Sequence, residues 1–164
     1  MDTLTQEHLK ELLDYNSDTG VFVWNKPSSN RVRIGSIAGS INSYGYRTIR
    51  IDGKQYMAHR LAWMYMNGDF PYCQIDHIDH NRENNRIANL RDVSRSSNLE
   101  NQIKPKSNNS TGYLGVSFYK ERKKFAAQIQ IKGKKKLIGY FENAQDAHDA
   151  YVAKKRAHHL TCTI

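Results

Sequence analysis

Asp76 and His77 stand side by side, and Asn98 follows 22 residues later, in the run IDHIDHNRENNRIANLRDVSRSSN. Those three side-chain types are the parts needed to hydrolyse a phosphodiester. A neutral imidazole, with a pKa near ~6.5, takes a proton from water at neutral pH. A carboxylate and an amide oxygen are hard ligands suited to Mg²⁺, which binds few protein groups and keeps several waters. Such an ion polarises the phosphate and stabilises the departing alkoxide. A blander reading stands beside this one. An Asp-His pair in a polar stretch is ordinarily a surface pair, and Asn-rich segments such as 81–89 are ordinarily loops built on Asx-turns. Adjacent residues on a regular strand also face opposite sides. Asp76 and His77 serve one site only if their strand ends or bends there.

The pattern predicts a strand over Ile75–Ile78, a loop over 80–86, a returning strand over Leu90–Val93, and a helix over 96–103 capped by Ser94. Asn98 then sits near the first turn of that helix. Upstream, Leu4, Leu9, Leu12 and Leu13 predict an amphipathic helix over 4–13. Asn16–Gly20 reads as a turn, Val21–Trp24 as a strand and 25–35 as a loop. Asp52-Gly53 reads as a hairpin turn between strands over 46–52 and 54–58, and Arg60–Met66 reads as a helix. Cys73 has no second Cys or His at zinc-ligand spacing and is expected in the core.

The chain has 164 residues, enough for one medium domain or two small ones, with 38% hydrophobic residues and a net charge of +9. Residues 1–103 are neutral, with 12 basic and 12 acidic side chains, whereas 104–164 carry 13 basic against 4 acidic and so the whole of the charge. A neutral front and a basic back suggest two modules, the second built to meet a polyanion or simply presenting a solvated lysine-rich surface. No apolar run approaches the ~18–20 residues of a membrane span. The polar N-terminus is neither a secretory signal nor a transit peptide. Two cysteines exclude a disulfide framework and a Cys-based zinc site, and the default compartment is the reducing cytosol.

His59-Arg60-Leu61, Ile75–Asp79, Asn84–Arg91 and Ser97-Asn98 together resemble the HNH nuclease ββα-metal motif, in the form found in phage and intron-encoded homing endonucleases. The resemblance implies that Asp76 and Asn98 are metal ligands, that His77 is the general base, and that Asn89 holds the loop and orients His77. It also implies a strand bent at the Asp-His pair. His80 stands where that family more often has Gly or Asn, and either contacts phosphate or is a tolerated surface residue. His59 either lies near the site or is structural. Arg82, Arg86, Arg91 and Arg95 either grip phosphates beside the scissile bond or are surface charges.

After the Pro-, Ser- and Asn-rich segment 104–110 come strand-like runs over 113–119, 124–131 and 136–141, then a helix from an Asn143 cap to about His158. Tyr113, Val116, Phe118, Phe125, Ile129, Ile131, Ile138, Phe141, Ala147 and Tyr151 would form the core. Lys120, Lys123, Lys124, Lys132, Lys134, Lys135 and Lys136 would meet phosphates, Arg122 is the best bidentate reader of guanine, and Gln128 and Gln130 would face adenine edges if they alternate outward. Gly112–Val116, Phe125–Ile129, Gly133–Phe141 and Ala144–Tyr151 resemble the APETALA (ethylene-response-factor) DNA-binding domain. Phe125 replaces the tryptophan common there, and lysines outnumber arginines, which implies looser sequence readout.

The expected architecture is α+β. A ββα-metal nuclease module with a β-rich lead-in spans 1–103 (motif core 72–103), a linker spans 104–110, and a three-stranded sheet with one packed helix spans 111–164. The expected activity is a metal-dependent DNA endonuclease of the homing type. It would use Mg²⁺ or Mn²⁺ and act on double-stranded DNA in the cytoplasm of a host cell, encoded by a phage or mobile element. It would be a monomer or weak dimer with no small-molecule cofactor and no membrane partner. The rival classes are a non-catalytic, sequence-specific DNA-binding regulator with a decayed nuclease half, and an RNA-binding protein, the latter weakened by the lack of an RRM-type stacking pattern.

Overall fold

The computed structural model describes residues 4–26, 32–100, 102–105, 108–131 and 133–158. The chain divides into two compact units, Met1–Val93 and Ser94–Ile164. The fold is mixed α+β, with small antiparallel sheets in both units.

In the first unit, α1 (Gln6–Leu12) starts where Thr5 Oγ1 accepts the His8 N–H at 3.2 Å. It ends one residue sooner than its leucines predict. Leu13 leaves the helix to open strand β1 (Leu13–Asn16), which pairs with β2 (Val21–Trp24). Leu13 is buried as a strand residue, so its apolar character served the core without continuing the helix. The β1–β2 turn is an Asx-turn, in which Asn16 Oδ1 accepts the N–H groups of Asp18 and Thr19 at 3.0 and 2.9 Å. It closes on Gly20 at φ +74°, where a Cβ would lie 2.5 Å from both Arg86 N and the Asn85 carbonyl carbon. Only glycine lets this hairpin touch that distant peptide.

Strands β3 (Ser40–Ile41), β4 (Arg47–Ile51) and β5 (Lys54–Met57) form a second sheet. The β4–β5 turn has Asp52 at φ 47° and Gly53 at φ 77°, the paired positive φ of the Asp-Gly hairpin that the sequence predicts. Helix α2 (Ala58–Asn67) buries Ala58, His59, Leu61, Ala62 and Met64. With Leu9, Leu12, Leu13, Phe22, Trp24, Ile49, Ile51 and Leu90 this face makes one apolar core. Strand β6 (Gln74–His77) pairs antiparallel with β7 (Leu90–Val93), joined by a long polar loop ending in a 3-10 turn at Ile87–Asn89. The Asp92 carboxylate accepts the Tyr72 and Cys73 N–H groups at 2.8 and 2.9 Å and fixes the approach to β6. Cys73, expected in the core, is exposed on that approach.

The second unit begins at α3 (Arg95–Glu100), where Ser94 Oγ accepts the Ser97 N–H at 3.2 Å, the cap expected from sequence. Its sheet runs β10-β9-β8, with β8 (Val116–Tyr119), β9 (Lys124–Ile131) and β10 (Lys134–Phe141). Helix α4 (Ala144–His158) packs across all three strands. Asn143 caps it, its Oδ1 accepting the Asp146 N–H at 2.8 Å. The core holds Val116, Ala127, Ile129, Ala147 and Tyr151, with Phe125, Ile131, Ile138 and Phe141 around it. Phe118, expected in the core, is 46% exposed, because it lies on the short edge strand β8, with the Phe125 ring against it across the pair.

The division after Val93 lies ahead of the boundary expected after residue 103. Hydrogen bonds of the second unit reach back across that expected boundary. The Lys155 ammonium, 1% exposed, donates to the Gln102 carbonyl at 2.5 Å and ties the segment after α3 to α4. Asn109 Oδ1 accepts the Thr111 and Gly112 N–H groups at 2.8 and 3.0 Å, while its Nδ2 donates to the Tyr113 and Val116 carbonyls at 3.0 and 3.3 Å. The end of the expected linker is thus bonded to the edge of the sheet.

Candidate active site

The requirement that the strand stop at the Asp-His pair is met. β6 ends at His77, and Ile78 N–H donates to the Asn89 carbonyl at 2.9 Å before the chain turns away. Asp76 and His77 are consecutive and yet both buried, at 8% and 5% exposure. The turn closes with His80 N–H on the His77 carbonyl at 3.0 Å and His80 at φ 60°. That left-handed backbone explains why Gly or Asn suits the position better than most residues.

Asp76 lies opposite Arg91 in the β6–β7 register. Arg91 donates to its Oδ2 from Nε at 2.9 Å and from the terminal nitrogen at 2.6 Å. A carboxylate this buried needs a compensating charge, and a charge-assisted pair of this geometry provides it. Of the four arginines expected at phosphates, Arg91 is therefore the counter-ion of Asp76. Among the described residues no group of three or more His, Cys, Asp or Glu could hold a metal. Asp76 supplies a hard, buried carboxylate donor of the type a divalent ion takes, with Arg91 bonded to its Oδ2. A two-ligand set of carboxylate and amide oxygen is the kind Mg²⁺ accepts, with water completing its shell. Asn98, the other expected ligand, belongs to the second unit, on the first turn of α3, with its N–H on the Ser94 carbonyl at 2.9 Å.

Burial lowers the His77 pKa below its ordinary value, although the Asn85 hydrogen bond and the nearby carboxylates of Asp79 and Asp76 act to raise it. The imidazole is thus neutral at pH 7. Its Nε2 is 3.2 Å from Asn85 Oδ1. An amide oxygen only accepts, so Nε2 carries the proton and Nδ1 is the basic nitrogen. Two further rings frame it. His59 meets it edge-on at 5.1 Å between centroids, and Tyr46 lies 6.0 Å away. Burial, followed by the charges of His77 and Arg60, pushes His59 down to about 4. The structure places His59 beside His77, on the buried face of α2.

The loop between β6 and β7 is tied by its own asparagines. Asn89 Nδ2 donates to Asp79 Oδ1 at 2.9 Å and to the Asn84 carbonyl at 2.8 Å, while its Oδ1 accepts the Asp79 N–H at 3.0 Å. Asn84 Nδ2 reaches Asp79 Oδ2 at 2.6 Å, and Asn81 N–H reaches Asp79 Oδ1 at 2.8 Å. Burial alone would raise the Asp79 pKa, but these hydrogen bonds outweigh it and hold the carboxyl below the usual range. Asn89 thus bonds across the loop to Asp79 and Asn84, while the side chain bonded to His77 is Asn85 rather than Asn89. Sequence reasoning missed Asn85. The only signal was its place in the Asn84-Asn85 pair.

Arg82 stacks its guanidinium 5.0 Å over the Tyr46 ring, which itself lies beside His77, and donates to the Tyr44 carbonyl at 2.7 Å. Arg86 is exposed beside the loop, and Arg95 is exposed at the start of α3. In the second unit Lys120, Arg122, Lys123, Lys134, Lys135 and Lys136 are exposed, and Lys132 lies outside the described residues. Lys134 and Lys135, expected in a turn, project from β10. Lys124 is half-buried and pairs with Glu142 at 2.7 Å. Gln128 and Gln130 alternate outward on β9, opposite Leu137 and Lys135. Arg122 lies 4.6 Å over the Tyr140 ring, which pre-orders its guanidinium.

The chain is similar to known proteins in three comparisons. Protein 3.8 of Escherichia phage T7 is 39% identical over 77 residues, covering 46% of this chain. The chain spans 63% of that relative's length, less than two thirds. A solved structure of DNA binding and cleavage by the HNH homing endonuclease I-HmuI aligns over 98% of this chain and 95% of its own, with 21% identity and a TM-score of 0.46. Residues 56–100, which contain α2, the Asp76-His77 pair, the asparagine loop and Asn98, match the family described as HNH endonuclease.

Proposed function

We propose that the protein is a metal-dependent DNA endonuclease that hydrolyses one phosphodiester per encounter, leaving 5′-phosphate and 3′-hydroxyl ends. The observation that carries this reading is the buried, neutral His77 beside the buried Asp76 carboxylate, inside the segment that matches HNH endonucleases. His77 takes the proton of the attacking water at Nδ1, a step worth about 10²–10⁴ in rate for a well-placed base. Asp76 holds the divalent ion together with Asn98, the latter assigned from the sequence pattern. A bound Mg²⁺ or Mn²⁺ would polarise the phosphate and balance charge on the leaving oxygen. Arg91 holds the Asp76 carboxylate in orientation, and Asn89 ties the loop through Asp79 and Asn84. Arg82, Arg86 and Arg95 contact phosphates near the cut.

The second unit acts as the DNA grip in this reading, in the manner of an APETALA-type sheet. Lys120, Lys123, Lys134, Lys135 and Lys136 meet phosphates, while Arg122 and Gln128 face base edges. No helix among the described residues is long and apolar enough to cross a membrane. A phage-encoded enzyme working on DNA in the host cytoplasm fits the likeness to the phage protein. The test is nicking of supercoiled plasmid with Mg²⁺ and with EDTA. Open-circular product with Mg²⁺ alone supports the enzyme. Binding without cleavage under both conditions supports a DNA-binding regulator instead.

A further inference from the structure

We infer that the β1–β2 hairpin belongs to the catalytic apparatus: Asn85 is the positioning residue that fixes the His77 imidazole, and Tyr15 of β1 fixes Asn85. This rests on the reading of His77 as the base. A base delivers its lone pair along one in-plane direction, so the ring needs both its plane and its tautomer set. The edge-on His59 ring and Tyr46 restrict the plane. They do not select a nitrogen. The Asn85 amide does, because its Oδ1, 3.2 Å from Nε2, accepts and never donates.

Asn85 is unusually well held for a loop residue. It is 1% exposed, and its carbonyl accepts the Tyr15 hydroxyl at 2.7 Å. Tyr15 is buried against the Phe22 and Tyr65 rings at 4.7 and 5.5 Å. Burial pushes the Tyr15 pKa up to about 12, so the hydroxyl stays a donor at any working pH. The same hairpin lies directly on the Asn85–Arg86 peptide at Gly20, where a Cβ would come within 2.5 Å. A buried residue with both its side chain and its carbonyl engaged is a rigid mount. Asn89 cannot share this task while its amide hydrogens and oxygen are committed to Asp79 and Asn84.

The test uses the full chain with Mg²⁺ and combines plasmid-nicking kinetics with ¹⁵N NMR of labelled histidine at fixed neutral pH. Asn85→Ala is expected to lower kcat about 100-fold, near the small end of what a placed base contributes, with KM unchanged. His77 then populates both tautomers. Asn85→Asp keeps an acceptor and is expected to retain the Nε2–H tautomer. Tyr15→Phe leaves the core ring in place and is expected to lower kcat about 5-fold, the worth of one ordinary hydrogen bond. Combined with His77→Ala, Asn85→Ala should cost nothing more. Wild-type kcat in both Asn85→Ala and Tyr15→Phe, or an unaltered His77 tautomer in Asn85→Ala, overturns the inference. Wild-type cleavage by His77→Ala instead overturns the assignment of the base, and the tautomer measurement still decides whether Asn85 sets the ring.

Discussion

The surroundings of His77 and the lysine-bearing sheet of the second unit are polar in opposite ways. Around His77 nearly every polar group is committed. Asp76 is paired with Arg91, Asn85 is bonded at both ends, and Asn89 spans the loop. On β10 the lysines stand in solvent, and the nearby fixed groups are few, notably Arg122 on Tyr140 and Lys124 on Glu142. Proton transfer needs one geometry and a desolvated base, so its groups must be buried and mutually satisfied. A grip on a polyanion gains from counterion release and tolerates many geometries, so its charges stay exposed. A single substitution should therefore be severe in the first region and mild in the second.

The largest expected effect tests the first half of that contrast. His77→Ala should lower the cleavage rate by about 10³-fold, within the range for loss of a general base, while affinity for DNA in a gel-shift assay stays the same. A variant that cuts at the wild-type rate would remove the distinction between the regions.

The next effect concerns stability and pH. His59 is held at about 4 in the folded chain by burial, while the unfolded chain takes up its proton near the ordinary ~6.5. Its contribution is therefore fully present above pH ~6.5 and is lost as the pH falls toward about 4, by about 3 kcal/mol in total. Urea unfolding at pH 7 and pH 4.5 should show this loss. His59→Leu should flatten the dependence.

Neutralising Lys134, Lys135 and Lys136 together to Gln should weaken DNA binding by about 10–100-fold at moderate salt. The salt slope should flatten by up to about 0.9 for each phosphate left without its lysine. Each single change should be worth only a few-fold. A single lysine that accounted for the entire effect would show that this surface, too, is a built site.

The smallest effect is at His80. Its left-handed backbone (φ 60°) favours glycine, and His80→Gly should raise stability by up to about 1 kcal/mol, measured as a shift in the urea midpoint. Destabilisation would show that the His80 side chain contributes more than its backbone conformation costs.

Local rules accounted for much of what the residues foretold. The Asp52-Gly53 hairpin, the Asn143 and Ser94 caps, the paired strands around the Asp-His pair and the outward glutamines of β9 all follow from interactions between near neighbours in the chain. The expectations that failed depended on distant partners. Leu13 joined a strand because Trp24 lay opposite it, and Phe118 stayed exposed on a sheet edge. Lys155 was buried because the Gln102 carbonyl was there to receive it.

The candidate site divides along the same line. Its chemical types, the positions of Asp76 and His77 on a strand, and the self-bonding of the asparagine loop are written in consecutive residues. The tertiary structure alone decided that Arg91 faces Asp76, that His59 and Tyr46 frame the imidazole, and that Asn85 holds it with Tyr15 behind. Register and packing bring those groups together, and neither is a property of any short stretch of chain, since each depends on which elements share a core.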